Sequence, residues 1–177
     1  LAPDTTGMTT ERRKQPPLVG QPDAGVMELL PGDTALGYAG DRMKTLLGSC
    51  VAVILTDPRR TVGTMCHIVH VGRPNHANQH NTAYGEVAMQ TMFDRLIAVG
   101  IAPARCQAYV YGGGNMFPQL FSPTHVGAKN AQWVLNYLHD CGIVVVGNSV
   151  GGSTYRKVAW SVGREAPEVE EVQSQMK

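Results

Sequence analysis

The segment that most constrains this chain is Cys50-Val51-Ala52-Val53-Ile54-Leu55-Thr56, an uncharged run dense in β-branched and apolar residues. A short run of this kind reads as a strand buried on both faces. Asp57-Pro58-Arg59-Arg60 follows it and has the chemistry of a tight turn. Thr61 to Val71 then reads as the returning strand of an antiparallel hairpin. With the turn centred between Pro58 and Arg59, Thr56 faces Thr61 and Cys50 faces His67. Directly opposed residues share a face, with Cβ atoms about 4.5–5.5 Å apart, close enough for a thiol to meet an imidazole. The same alternation sends Cys66 to the other face.

A thiol beside an imidazole is the unit of cysteine nucleophilic catalysis, because the thiolate is the reactive species and the ring can take its proton. Gly48-Ser49 approaches Cys50 with little side-chain bulk, and backbone N–H groups there can hold an oxyanion. A lone cysteine in an apolar run is more often a small core residue. The histidine partner and the small residues in front of Cys50 are what set this one apart.

Around the hairpin, Val26 to Leu30 and Thr34 to Tyr38 read as strands flanking the turn Pro31-Gly32-Asp33. Thr82 to Val99 carries Met89, Met92, Phe93, Leu96 and Ile97 on one helical face and stops at Gly100. Arg105 to Tyr111 reads as a strand entering Gly112-Gly113-Gly114. Asn130 to Cys141 reads as a second helix, Ile143 to Val146 as a buried strand, and Arg156 to Trp160 as the last strand. The expected architecture is α+β, with a sheet-rich, β-sandwich-like core of antiparallel hairpins covered by two main helices. Residues 1–24 read as a flexible tail, 25–162 as the catalytic domain, and 163–177 as a loose charged tail.

A chain of 177 residues suffices for one domain with a real core, and 43% apolar against 16% charged residues is a globular balance. The formal net charge of +1 gives no case for nucleic acid or an anionic membrane surface. No apolar run approaches the roughly 20 residues of a membrane-spanning helix, and no signal-peptide core is seen at the N-terminus. Cys50, Cys66, Cys106 and Cys141 form no CxxC pair and read as reduced thiols of a cytoplasmic protein.

Thr45-Leu46-Leu47-Gly48-Ser49-Cys50-Val51-Ala52-Val53, Asp57-Pro58, Gly63 and Cys66-His67-Ile68 together resemble the signature of the chemoreceptor glutamine deamidases, the CheD family. Tyr111-Gly112-Gly113-Gly114-Asn115-Met116-Phe117, Gly127 with Asn130, Gly151-Gly152 and Arg156-Lys157-Val158 continue the resemblance in order, over roughly residues 25–160. Gly147-Asn148-Ser149 departs from it, standing where the family often has acidic residues. The resemblance implies a protein-glutamine glutaminase with catalytic Cys50, His67 and Thr45, and no metal or organic cofactor. It implies chemoreceptor cytoplasmic helices as substrate and a CheC-type phosphatase as a possible partner, with no nucleic acid and no membrane insertion.

Two other readings compete. His67, His70, His76 and His80 beside Cys66 invite a zinc site. However, His67 and His70 stand an odd number apart on one strand and should face opposite sides, while Pro74 and Asn75 argue for loop around His76. The other reading is a non-enzymatic adaptor that kept the fold and binds receptors or phosphatase.

Overall fold

The computed structural model describes residues 25–120 and 125–173. The tail expected over residues 1–24 lies outside them. The described strands are β1 (Val26–Leu29), β2 (Thr34–Tyr38), β3 (Arg42–Leu47), β4 (Val51–Thr56), β5 (Val62–Ile68), β6 (Gln107–Gly112), β7 (Val144–Val150), β8 (Thr154–Ser161) and β9 (Glu168–Gln173); the helices are α1 (Gly85–Ala98) and α2 (Val126–Asp140). They form a five-stranded sheet in the order β2-β5-β4-β6-β7 and a four-stranded sheet in the order β1-β3-β8-β9.

The sheets stack face to face, and the two helices cover the far side of the larger one, which agrees with the expected α+β class. β4 is the central strand and its period-2 alternation builds both interiors. Val51, Val53 and Leu55 point towards α1 and α2, meeting Met89, Met92, Leu96, Val134 and Leu138. Ala52 and Ile54 point into the space between the sheets, with Met43, Leu47, Met65, Val158 and Trp160. Each large apolar side chain buried there contributes about 1.5–3 kcal/mol. The sheets approach so closely that a Cβ on Gly63 would lie 2.2 Å from the Trp160 ring.

The structure corrects several local expectations. Parallel pairs, β1 with β3 and β6 with β7, stand among the antiparallel ones. β1 and β2 flank the turn as expected but enter different sheets. β3 was not foreseen as a strand, because Arg42, Lys44 and exposed Leu46 hide the alternation of buried Met43, Thr45 and Leu47. α2 begins at Val126, four residues before Asn130, where the His125 ring caps the helix by accepting from Ala128 N at 3.2 Å. Residues 168–173 of the expected loose C-terminal tail form β9, antiparallel to β8. Its two valines, Val169 and Val172, stand three apart among four polar residues and show no strand period; Val169 packs on the inter-sheet core.

The hairpin itself is right, but its register is not. Asp57 accepts from Thr61 N at 2.7 Å, from Val62 N at 2.9 Å and from Thr61 Oγ1 at 2.7 Å. These bonds draw Thr61 into the loop, which Arg60 completes with a φ of 56°. Thr56 therefore pairs with Gly63, and His67 faces Ala52 instead of Cys50. The offset is two residues, an even number, so every side chain keeps the face expected of it.

Candidate active site

Thr45 lies between buried Met43 and Leu47 on the inner face of β3, and His67 follows inward-facing Met65 on β5. The two residues thus belong to different sheets and meet across the space between them. Thr45 Oγ1 lies 2.7 Å from His67 Nδ1 and donates to the Leu29 carbonyl at 2.8 Å. A hydroxyl has one proton. The Leu29 carbonyl can only accept, so it takes that proton, and Thr45 Oγ1 must accept from Nδ1. This fixes the ring as the Nδ1–H tautomer and leaves the Nε2 lone pair free.

Cys50 is half-buried in the bend Gly48-Ser49-Cys50, one residue before β4, and packs against the inter-sheet cluster on the same side as His67. The ladder pairs Val51 with Ile68 and Ala52 with His67, so Cys50 is a diagonal neighbour of His67. Such neighbours stand about 7–8 Å apart along the sheet, with side chains still within reach. Among the described residues no hydrogen bond joins the Cys50 thiol to the ring. Burial raises the thiol pKa. Burial also lowers that of His67, against the opposing pull of the Asp33 carboxylate and the nearby Leu29 carbonyl. Both directions favour a neutral thiol beside a neutral imidazole at rest.

Cys66 faces the helices, as expected, and burial pushes its thiol up to about 12. His76 sits in a short 3-10 turn, His76–Asn78. Among the described residues no three His, Cys, Asp or Glu side chains converge on a common point.

The Gly112–Gly114 loop fixes the bend before β4. Gly113 N donates to Cys50 O at 2.9 Å and Gly114 N to Gly48 O at 3.0 Å. Gly112 has a φ of +112°, and a Cβ there would stand 2.1 Å from Cys50 O, so only glycine fits. Gly127 on α2 packs as tightly on Gly113 and Gly114. Two side chains without a role in the sequence reading complete the support. Asn130 Nδ2 donates to Ser49 O at 3.1 Å and to Val69 O at 3.3 Å. Buried Arg156 donates to Gly112 O at 3.3 Å, Gly151 O at 2.7 Å and Ser149 Oγ at 3.1 Å. Both residues stood in recognised motifs, but their grip on Ser49 O and Gly112 O depends on segments far away in the chain.

A Cβ on Gly48 would press on Tyr155 at 3.2 Å and on Met116 at 3.3 Å. Ser49 lines a cavity of about 220 Å³ with Gly114, Met116, Phe117, His125 and Val126. Among the described residues no backbone carbonyl accepts from the N–H groups of Ser49 and Cys50. The bend therefore offers a thiol, a base held in one tautomer, two unclaimed N–H donors and an adjoining pocket. This set suits attack on a carbonyl carbon.

Residues 70–169 match the model of a family described as CheD chemotactic sensory transduction. The matched segment includes Gly112–Gly114, Asn130 and Arg156. Over 138 residues the chain is 33% identical to the probable chemoreceptor glutamine deamidase CheD 2 of Albidiferax ferrireducens, covering 76% of this chain and 80% of that protein. A relative of the same name from Burkholderia thailandensis is 36% identical over 138 residues, covering 76% and 70%. The probable chemoreceptor glutamine deamidase CheD of Bordetella petrii is 33% identical over 136 residues, covering 76% of this chain and 60% of its own length.

Proposed function

This chain belongs to the CheD family, and on that premise we propose that it deamidates glutamine side chains of chemoreceptors, with Cys50 as nucleophile, His67 as base and Thr45 orienting His67. The observation that carries the assignment of roles is the relay from the Leu29 carbonyl through Thr45 to His67 Nδ1, which leaves Nε2 ready to take a proton.

As the Cys50 sulfur attacks the carboxamide carbon, its proton passes to His67 Nε2. The carbonyl oxygen becomes an oxyanion facing the N–H groups of Ser49 and Cys50. Nε2–H then protonates the amide nitrogen, the C–N bond breaks, and ammonia leaves a thioester. Water gives a proton to Nε2 and adds to the thioester carbonyl. Collapse of that intermediate breaks the C–S bond, and the thiol regains its proton. The net change is glutamine plus water to glutamate plus ammonia, using side chains and water alone. The product carries a new negative charge, which changes the electrostatics of the receptor helix. Because the substrate helices are cytoplasmic, we place the reaction in the cytoplasm; no described helix is long and apolar enough to cross a membrane.

The test is incubation of the purified protein with a chemoreceptor cytoplasmic fragment, followed by mass spectrometry for amide-to-acid conversion. Conversion by the wild type that is lost in Cys50→Ala is the expected result. No conversion across several receptors by folded protein would favour the adaptor reading.

A further inference from the structure

The peptide groups entering Cys50 are held from outside in a way that fixes where their N–H groups point. Among the described residues every peptide bond is trans, so the C=O and N–H of one group point in opposite directions. Gly114 N holds Gly48 O at 3.0 Å and thereby aims the N–H of Ser49. Asn130 Nδ2 holds Ser49 O at 3.1 Å and thereby aims the N–H of Cys50. The first grip is backbone to backbone; the second is made by a side chain, one only 2% exposed near the start of α2.

The orientation of the Asn130 amide is not ambiguous. Both of its partners are carbonyl oxygens, so the NH₂ end must face them. Its second partner, Val69 O at 3.3 Å, lies just beyond the Val51–Ile68 pair, at the position across from Cys50. One amide therefore spans the open end of the hairpin beside Cys50.

We infer that Asn130 is the positioning residue of the oxyanion hole: by drawing the Ser49 carbonyl towards α2, it keeps the Cys50 N–H aimed at the oxygen that becomes negative in the tetrahedral intermediate. The inference rests on the reading of Cys50 as nucleophile. It separates two demands on the site, thiol reactivity, which Asn130 does not supply, and stabilisation of the oxyanion, which it does.

Two reagents separate those demands. Acylation of Cys50 by p-nitrophenyl acetate passes through a tetrahedral oxyanion, whereas alkylation by iodoacetamide is a direct displacement without one. Asn130→Ala is expected to slow acylation by about tenfold or more, since a displaced oxyanion donor costs a sizeable part of the 10²–10³ lost when one is removed. Alkylation at the same pH should stay close to the wild-type rate, and with a receptor fragment kcat should fall while KM holds. Equal slowing of acylation and alkylation would make Asn130 a structural staple, and no slowing of either would leave it without a role; each result overturns the inference. If Asn130→Ala does not fold, Asn130→Ser, whose single short donor cannot span both carbonyls, is expected to slow acylation more than alkylation in the same sense. Failure of wild-type Cys50 to be acylated at all, with Cys50→Ala as control, would instead overturn the underlying reading of the nucleophile.

Discussion

Thr45→Val tests the core of the mechanism with the least disturbance of shape, because valine replaces the hydroxyl by a methyl group of similar size. The change leaves the Leu29 carbonyl without the donor at 2.8 Å and His67 Nδ1 without the acceptor at 2.7 Å. Two buried partners losing hydrogen bonds should destabilise the fold by about 2–4 kcal/mol. In catalysis the relevant loss is the preference for the Nδ1–H tautomer, about 1–2 kcal/mol for one hydrogen bond. At 1.36 kcal/mol per factor of ten, that lowers the deamidation rate about 5- to 30-fold. The assay follows the rate of amide-to-acid conversion in a receptor fragment by mass spectrometry at a temperature where wild type and variant are both folded. Thr45→Ser keeps the hydroxyl and should remain near wild type. A folded Thr45→Val protein with an undiminished rate would refute the relay. A Thr45→Ser protein as slow as Thr45→Val would show that the packing around residue 45 matters as well, so the loss could not be assigned to the two hydrogen bonds alone.

Burial lowers the His67 pKa below the ordinary value of about 6.5, so the ring is neutral at pH 7 and the acid limb of activity should lie below that value. The stability it contributes is fully present above about 6.5 and is lost as pH falls through that value towards the folded pKa, because the unfolded chain then binds the extra proton. Urea midpoints from pH 7.5 to 5 should fall less in His67→Gln than in wild type; parallel curves would contradict this. Iodoacetamide labelling of Cys50 should keep rising with pH through the ordinary thiol range and beyond, while Cys66 and Cys106, held up to about 12 and about 11, stay unlabelled in folded protein. A Cys50 labelling rate that levels off near pH 6 would reveal a thiolate–imidazolium pair at rest. Gly112→Ala should destabilise by about 3 kcal/mol or more, since it combines a left-handed φ with a 2.1 Å clash against Cys50 O; an unchanged thermal midpoint would mean the loop does not bear on Cys50.

Much of the site was legible because alternation along a strand survives errors in pairing. The turn-centred register put Cys50 opposite His67, and the Asp57 cap moved the true partner to Ala52. Yet both residues kept the inter-sheet face and Cys66 the helix face, because two residues is one full period of a strand. What could not be read was any bond between elements distant in the chain. β3 looked too polar to be a strand, and β9 looked like a tail, because their charged residues face solvent while a few apolar ones face in. The roles of Asn130 and Arg156 were hidden for a different reason: the partners through which they hold the Cys50 bend and the Gly112 loop are backbone carbonyls, which carry no residue identity for a sequence pattern to show.

Thr45 shows how far a family resemblance and a physical derivation can replace each other. Spacing from Cys50 alone does not select it, because nothing local says that β3 will face β5 across two sheets. The resemblance supplies the residue type, and the packing supplies the reason. Met43, Thr45 and Leu47 share the inner face of β3, and Thr45 is the polar member of that set, opposite the one histidine on the inner face of β5. A hydroxyl at that depth needs an acceptor as well as a donor. The Leu29 carbonyl and His67 Nδ1 are the two groups that satisfy it. The tautomer of the base is therefore a consequence of stacking one sheet on the other, and the chemistry assigned to Cys50 depends on that docking as much as on the hairpin that carries it.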